Sequence, residues 1–197
     1  MKTLITNSLF WGKYPFKIIC HVGLKTEEFY KLSEKYFNDK KIKTRREHNF
    51  IHFYFQDDSI IDTMKKELAF WITEIYQPVN LSDKEFLLSN PKKVLCDLYP
   101  KEKYRYCVYL KCNMPATKKQ SFYDWFIRNN DDKISIPGST LHWLLQKKRY
   151  GEFYIRVEDE KTLLLVNIFL SEYVKKTTEY VLRDSINIKV GTPECLL

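Results

Sequence analysis

Two tyrosines and the cations around them are the part of this chain whose types and spacing best suit chemistry. Tyr109 sits in an alternating run, residues 104–112, with Tyr106, Val108, Leu110 and Cys112 on one face and Arg105, Cys107, Tyr109 and Lys111 on the other. Tyr154 sits in a second run, residues 152–157, which alternates Phe153, Ile155 and Val157 with Tyr154 and Arg156. Period-two alternation marks a half-buried strand. On adjacent strands, Tyr109 and Tyr154 would share an open face with Arg105, Lys111 and Arg156. Such rings stack single-stranded bases at about 1–3 kcal/mol each, while nearby cations neutralise phosphates. Lys147, Lys148 and Arg149 form a basic turn just before the second run, placed as a phosphate clamp.

The first half carries a similar constellation. Arg45 and Arg46 precede a run in which Ile51, Phe53 and Phe55 point inward and Phe50, His52 and Tyr54 outward, followed by Asp57 and Asp58. Other chemistries are poorly supplied. His48 and His52 share a strand face about 13 Å apart, too far to grip one metal, so no metal site is expected. No glycine-rich phosphate loop and no G-x-S-x-G or Cys/His nucleophile pattern is present, so neither a catalytic residue nor a cofactor is expected.

The elements that must position these residues read as an α+β fold of two tandem ferredoxin-like β-α-β-β-α-β units with antiparallel sheets. Residues 1–80 form the first unit, 81–100 a proline-containing junction and 101–197 the second. In the first, a strand over 16–22 leads to a helix over 26–37, strands over 41–46 and 50–56, and a helix with Ile61, Met64, Leu68, Trp71 and Ile75 as its apolar stripe. The fourth strand falls at 75–79 or 94–99. In the second, Thr117 and Gln120 predict a capping box, a strand begins at Thr140, a long helix spans 160–183 and a strand over 185–190 closes the sheet. Leu163, Leu164, Leu165, Val166, Ile168, Phe169 and Leu170 are apolar all round that helix. It is therefore expected to be buried on more than one side or to form a subunit interface.

With 197 residues and 44% hydrophobic content, the chain can bury one substantial core or two small ones. Its net charge of +8 favours an acidic partner. Five cysteines give no even framework and no C-x-x-C pair, which points to a reducing, cytoplasmic or otherwise intracellular setting. No signal peptide or membrane-spanning run is legible, so no membrane partner is expected.

The strand 108–113, with Tyr109 at its aromatic position, resembles the RNP2 pattern of the RNA recognition motif family. The segment 150–157 partly resembles that family's RNP1, through Gly151, Tyr154, Ile155 and Val157. Glu152 stands where an aromatic is expected and Tyr150 where a basic residue is expected. In the first half, Phe50 and His52 occupy the RNP1 aromatic positions, and Ile19 replaces the RNP2 aromatic. The resemblance implies a non-enzymatic protein that binds single-stranded nucleic acid, RNA more than DNA, on an aromatic-basic sheet face. An alternative is an oligomeric structural or assembly protein, viral or organellar, joined through residues 163–170. A remote one is a nuclease: Tyr173 and Lys176 resemble the Tyr-x-x-Lys motif of rolling-circle replication endonucleases, although His142 supplies only one of the paired histidines such enzymes use.

Overall fold

The computed structural model describes residues 1–23, 26–37, 41–129, 132–145 and 151–190. The chain divides into two compact units, Met1–Leu95 with Ile186–Leu197, and Cys96–Ser185. The first contains β1 (Lys2–Ile5), β2 (Phe16–His21), α1 (Thr26–Phe37), β3 (Lys43–Glu47), β4 (Phe50–Phe55), α2 (Ser59–Leu68), β5 (Ile72–Gln77), α3 (Leu81–Ser89) and β6 (Lys93–Cys96), in whose last residue the second begins. The second continues with β7 (Tyr106–Leu110), α4 (Ala116–Asn129), β8 (Ile134–Ser135), α5 (Gly138–Leu145), β9 (Phe153–Val157), α6 (Glu160–Leu170), a 3-10 turn (Ser171–Tyr173), β10 (Val174–Leu182) and the start of α7 (Arg183–Val190), whose residues from Ile186 belong to the first unit.

The first sheet has the order β1-β5-β2-β4-β3. β2 and β4 are its antiparallel central pair, β5 flanks β2, β3 flanks β4, and β1 adds a parallel edge beside β5. That parallel edge makes the sheet mixed, where a wholly antiparallel one was expected. β2 alternates as its sequence does, burying Phe16, Ile18 and Cys20. Beneath it α2 buries Ile60, Ile61, Met64 and Leu68. The expected apolar stripe ran on through Trp71 and Ile75, but the helix stops at Leu68 and β5 begins at Ile72. Ile72 pairs with Cys20 and Ile75 with Ile18, across a register shift. This irregularity turns two residues three apart toward one core, and that spacing imitates a helix.

In the second sheet β7 and β9 are the central antiparallel pair, β10 flanks β7, β8 flanks β9, and β6 forms the other edge. The core gathers Val108, Phe122, Trp143, Ile155, Val166 and Leu170. Three expectations fail here. The strand expected from Thr140 is helix α5, which buries Thr140, Trp143 and Leu144 and stacks Trp143 on Phe153 at 4.4 Å. The helix expected over 160–183 ends at Leu170, and β10, rich in β-branched residues, turns back to pair with β7. With that position filled, residues 185–190 fall in α7 rather than in a closing strand.

One capping expectation also needs correction. Helix α4 begins at Ala116, the Ser121 hydroxyl donates to the Thr117 carbonyl, and Gln120 bonds Asp124 instead of closing a box. The stretch 81–100, expected as a junction, holds α3, capped by the Asn80 side chain at the Asp83 N–H, and β6.

Candidate functional site

In the second unit, Val108 opposite Ile155 faces the core, so their neighbours face outward. Tyr109 pairs with Tyr154 and Cys107 with Arg156, while β10 brings Lys176 beside Tyr109 and Thr178 beside Cys107. The two tyrosine rings lie 5.7 Å apart, tilted by 41°, and both are half-buried. A cation rests on each. Lys176 Nζ is 4.3 Å from the Tyr109 ring centre, and the Arg156 guanidinium is 5.1 Å from that of Tyr154, whose hydroxyl accepts its Nη2 hydrogen bond at 3.1 Å.

Burial raises the ionisation points of Tyr109 and Tyr180, and of Cys107, which hydrogen-bonds Tyr109. Their phenols and thiol therefore stay protonated near neutrality, so the charges at the ring pair are Lys176 and Arg156, with Glu152 close to Tyr109. It is suited to stacking flat rings and attracting anions rather than to moving protons or attacking a substrate.

Arg105 and Lys111 flank the pair but are partly engaged. Arg105 forms a 2.5 Å ion pair with Glu179, and Lys111 Nζ donates to the Glu172 carbonyl at 2.8 Å. Lys111, Tyr109, Asn113, Gly151, Glu152 and Lys175 line part of a cleft of about 390 Å³ at one end of the β7–β9 pair. Lys147, Lys148 and Arg149 lie outside the described residues.

The first unit places Ile19 opposite His52, the counterparts of Tyr109 and Tyr154, with Lys17 opposite Tyr54 in the next row. His52 and Tyr54 point away from the core as expected, yet are only 8% and 5% exposed. A tight turn over residues 9–15 brings Phe10, Trp11 and Tyr14 against Tyr54, at 5.7, 6.1 and 6.4 Å between rings. Lys17 sits among Phe10, Tyr54 and Tyr76, its ammonium 4.9 Å from the last ring, and burial lowers its ionisation point. His52 Nδ1 is 3.3 Å from the Tyr54 hydroxyl, and burial favours its neutral form.

The open stacking role expected of His52 therefore does not hold. Phe50 is half-open but tilts against His21 at 5.0 Å. Arg45 pairs with Glu47 at 2.6 Å, and Arg46 donates to the His48 carbonyl. These first-unit residues and the tyrosine pair thus belong to different units. A helix over 160–183 does not place Lys176 and Tyr180 beside Tyr109 and Cys107, and the sequence pattern does not single out Phe10, Trp11, Tyr14 and Lys17, which a Trp-Gly turn signal between aromatics reveals.

Tyr173 lies in the 3-10 turn before β10 rather than on a long helix. Among the described residues, no group of three or more His, Cys, Asp or Glu side chains is placed to hold a metal ion, and no helix is long and apolar enough to cross a membrane. Comparison with protein families, with curated proteins and with solved structures finds no match.

Proposed function

We propose that the protein binds single-stranded nucleic acid on the outward face of the second unit's sheet, with Tyr109 and Tyr154 as the stacking platform and Arg156 and Lys176 as its cations. The observation that carries this reading is the side-by-side tyrosine pair with a cation on each ring. Every base has a π-face, so such a platform tolerates sequence, and the positive charge of the chain strengthens encounter with a polyanion. RNA is the first ligand to test, because the resemblance of the two strands is to an RNA-binding family. Both units repeat the same strand order around a central first and third strand, and we read them as ferredoxin-like units that arose by duplication.

The test is a titration of single-stranded RNA and DNA across a salt series, with light scattering on the same samples. Binding that weakens steeply with salt and depends on the tyrosines supports the reading. Salt-dependent binding indifferent to both tyrosines removes the stacking mechanism.

One observation favours assembly as a second reading. Helix α6 buries Thr162, Val166 and Leu170 but leaves Leu164 61% and Ile168 70% exposed, with Leu165 between them. The helix is thus buried on one face, not on several. Its outer apolar stripe is the kind of surface that a second copy could cover.

A further inference from the structure

We propose that the first unit holds a nucleotide-binding site of its own: a lysine-lined cleft takes a phosphate of a single strand, and Trp11 stacks the adjoining base. This inference stands on the first unit alone and does not require the tyrosine pair of the second to bind anything. The cleft, about 720 Å³, opens between the turn at residues 9–15, strand β3 and the start of α2. Its volume falls within the roughly 300–1,000 Å³ usual for small-ligand sites.

Lys13, Lys41 and Lys43 line it and are all exposed. Among the described residues, none of the three makes an ion pair with a carboxylate. The acidic group in the lining is Asp57, whose Oδ1 accepts the Ser59 N–H at the start of α2. Three ammonium groups against one carboxylate leave an uncompensated positive cleft, and a phosphate oxygen is the hard anion that such groups attract.

Trp11 adjoins the cleft through Lys43, which lines it and rests on the indole. The Phe10–Lys13 turn closes through a 3.1 Å hydrogen bond, with both central residues left-handed, Trp11 at φ 56° and Gly12 at φ 64°. Glycine adopts that conformation readily; a tryptophan does so against its own side chain, and such strain gathers at functional sites. The turn projects an indole that is 54% exposed although it packs edge-on against Tyr54. Lys43 Nζ lies 4.0 Å from its ring centre and the Arg45 guanidinium 5.7 Å. An open indole with cations on it, beside a lysine-lined hollow, matches a base joined to its phosphate. The concave shape fits a single phosphate group better than a flat lipid surface.

The experiment uses the full chain and a short fluorescently labelled oligouridylate, read by anisotropy and by tryptophan emission. Trp11→Ala should weaken binding about tenfold. Base stacking should quench the parent's tryptophan emission, and Trp11→Phe should remove that quench. Replacing Lys13, Lys41 and Lys43 together with Gln should lower the log–log salt slope by about 0.7, the change for one lost phosphate contact on a single strand.

The Tyr109→Ala/Tyr154→Ala double variant separates the two sites. A Trp11-dependent quench that persists there supports the cleft even if the tyrosine platform proves inactive. If the Trp11 and lysine variants bind like the parent while the tyrosine variant loses binding, the cleft proposal is overturned and the platform stands. Phosphatidylserine vesicles that compete fully with the oligonucleotide for the Trp11 signal would also overturn it, in favour of a membrane surface.

Discussion

The backbone of Tyr154 is held by the side chain of Thr140. The Thr140 hydroxyl accepts the Tyr154 N–H at 3.1 Å and donates to its carbonyl at 2.9 Å, standing in for the strand partner that β8 is too short to supply. A helix residue thus completes the edge of β9 and fixes the strand that carries one ring of the proposed platform. Replacing Thr140 with Val keeps its shape and strands two buried backbone groups, so stability should fall by about 1–3 kcal/mol. Chemical denaturation measures this, and an unchanged midpoint would show that water satisfies the Tyr154 backbone.

Tyr109→Ala and Tyr154→Ala should each weaken single-strand binding by about 1–3 kcal/mol. Both rings are half-buried, so circular dichroism must accompany the titration. Native-like spectra with unchanged affinity would discard the platform. Lys176→Gln, at an exposed position beside Tyr109, should weaken binding and reduce its salt dependence without affecting the fold.

The α6 face can be probed by contrasting positions. Val166 is fully buried, so Val166→Asp should cost several kcal/mol or prevent soluble expression. Leu164→Asp and Ile168→Asp should shift stability by no more than about 0.5 kcal/mol, because both side chains already meet solvent. If α6 joins two copies, those same substitutions abolish concentration-dependent growth in light scattering. Equal thermal loss at all three positions would contradict the one-sided burial of this helix.

His52 supplies a pH dependence. Burial depresses its folded ionisation point below the ordinary value of 6.5, with Lys17 and Arg45 acting in the same direction and Glu47 and Glu74 against it. The unfolded chain therefore binds a proton more readily than the folded one in this range. Stability from this group is fully present above pH 6.5 and declines as pH falls from there through the folded value. Denaturation midpoints of the parent between pH 7.5 and about 5 should drop more than those of His52→Gln. Parallel curves would show that another group governs the acid limb.

Local pattern sufficed for the central strands. In β2, β4, β7 and β9 the apolar residues alternate because one face of each strand packs on the core of its unit, and that face fixes register. Ile18 therefore meets Phe53, Val108 meets Ile155, and Tyr109 meets Tyr154. The acid-capped start of α6 was equally legible, with the Asp159 carboxylate taking the Thr162 N–H at 2.7 Å.

Tertiary structure alone decided the rest. The Leu68–Trp71–Ile75 spacing reads as helix until β5, starting at Ile72, pairs with β2, and β10 reads as helix until β7 offers it a ladder of hydrogen bonds. Period and propensity are local quantities, whereas the choice between strand and helix at these edges depends on whether a partner backbone lies alongside. The same holds for exposure. His52 and Tyr154 occupy outward positions on equivalent central strands, and their sequence surroundings do not distinguish them. His52 is buried beside Tyr54, over which a turn some forty residues earlier folds back, while Tyr154 keeps a half-open face. Sequence determines which way a side chain points on its strand; what lies across that face is set by chain segments distant in sequence, and only their packing reveals it.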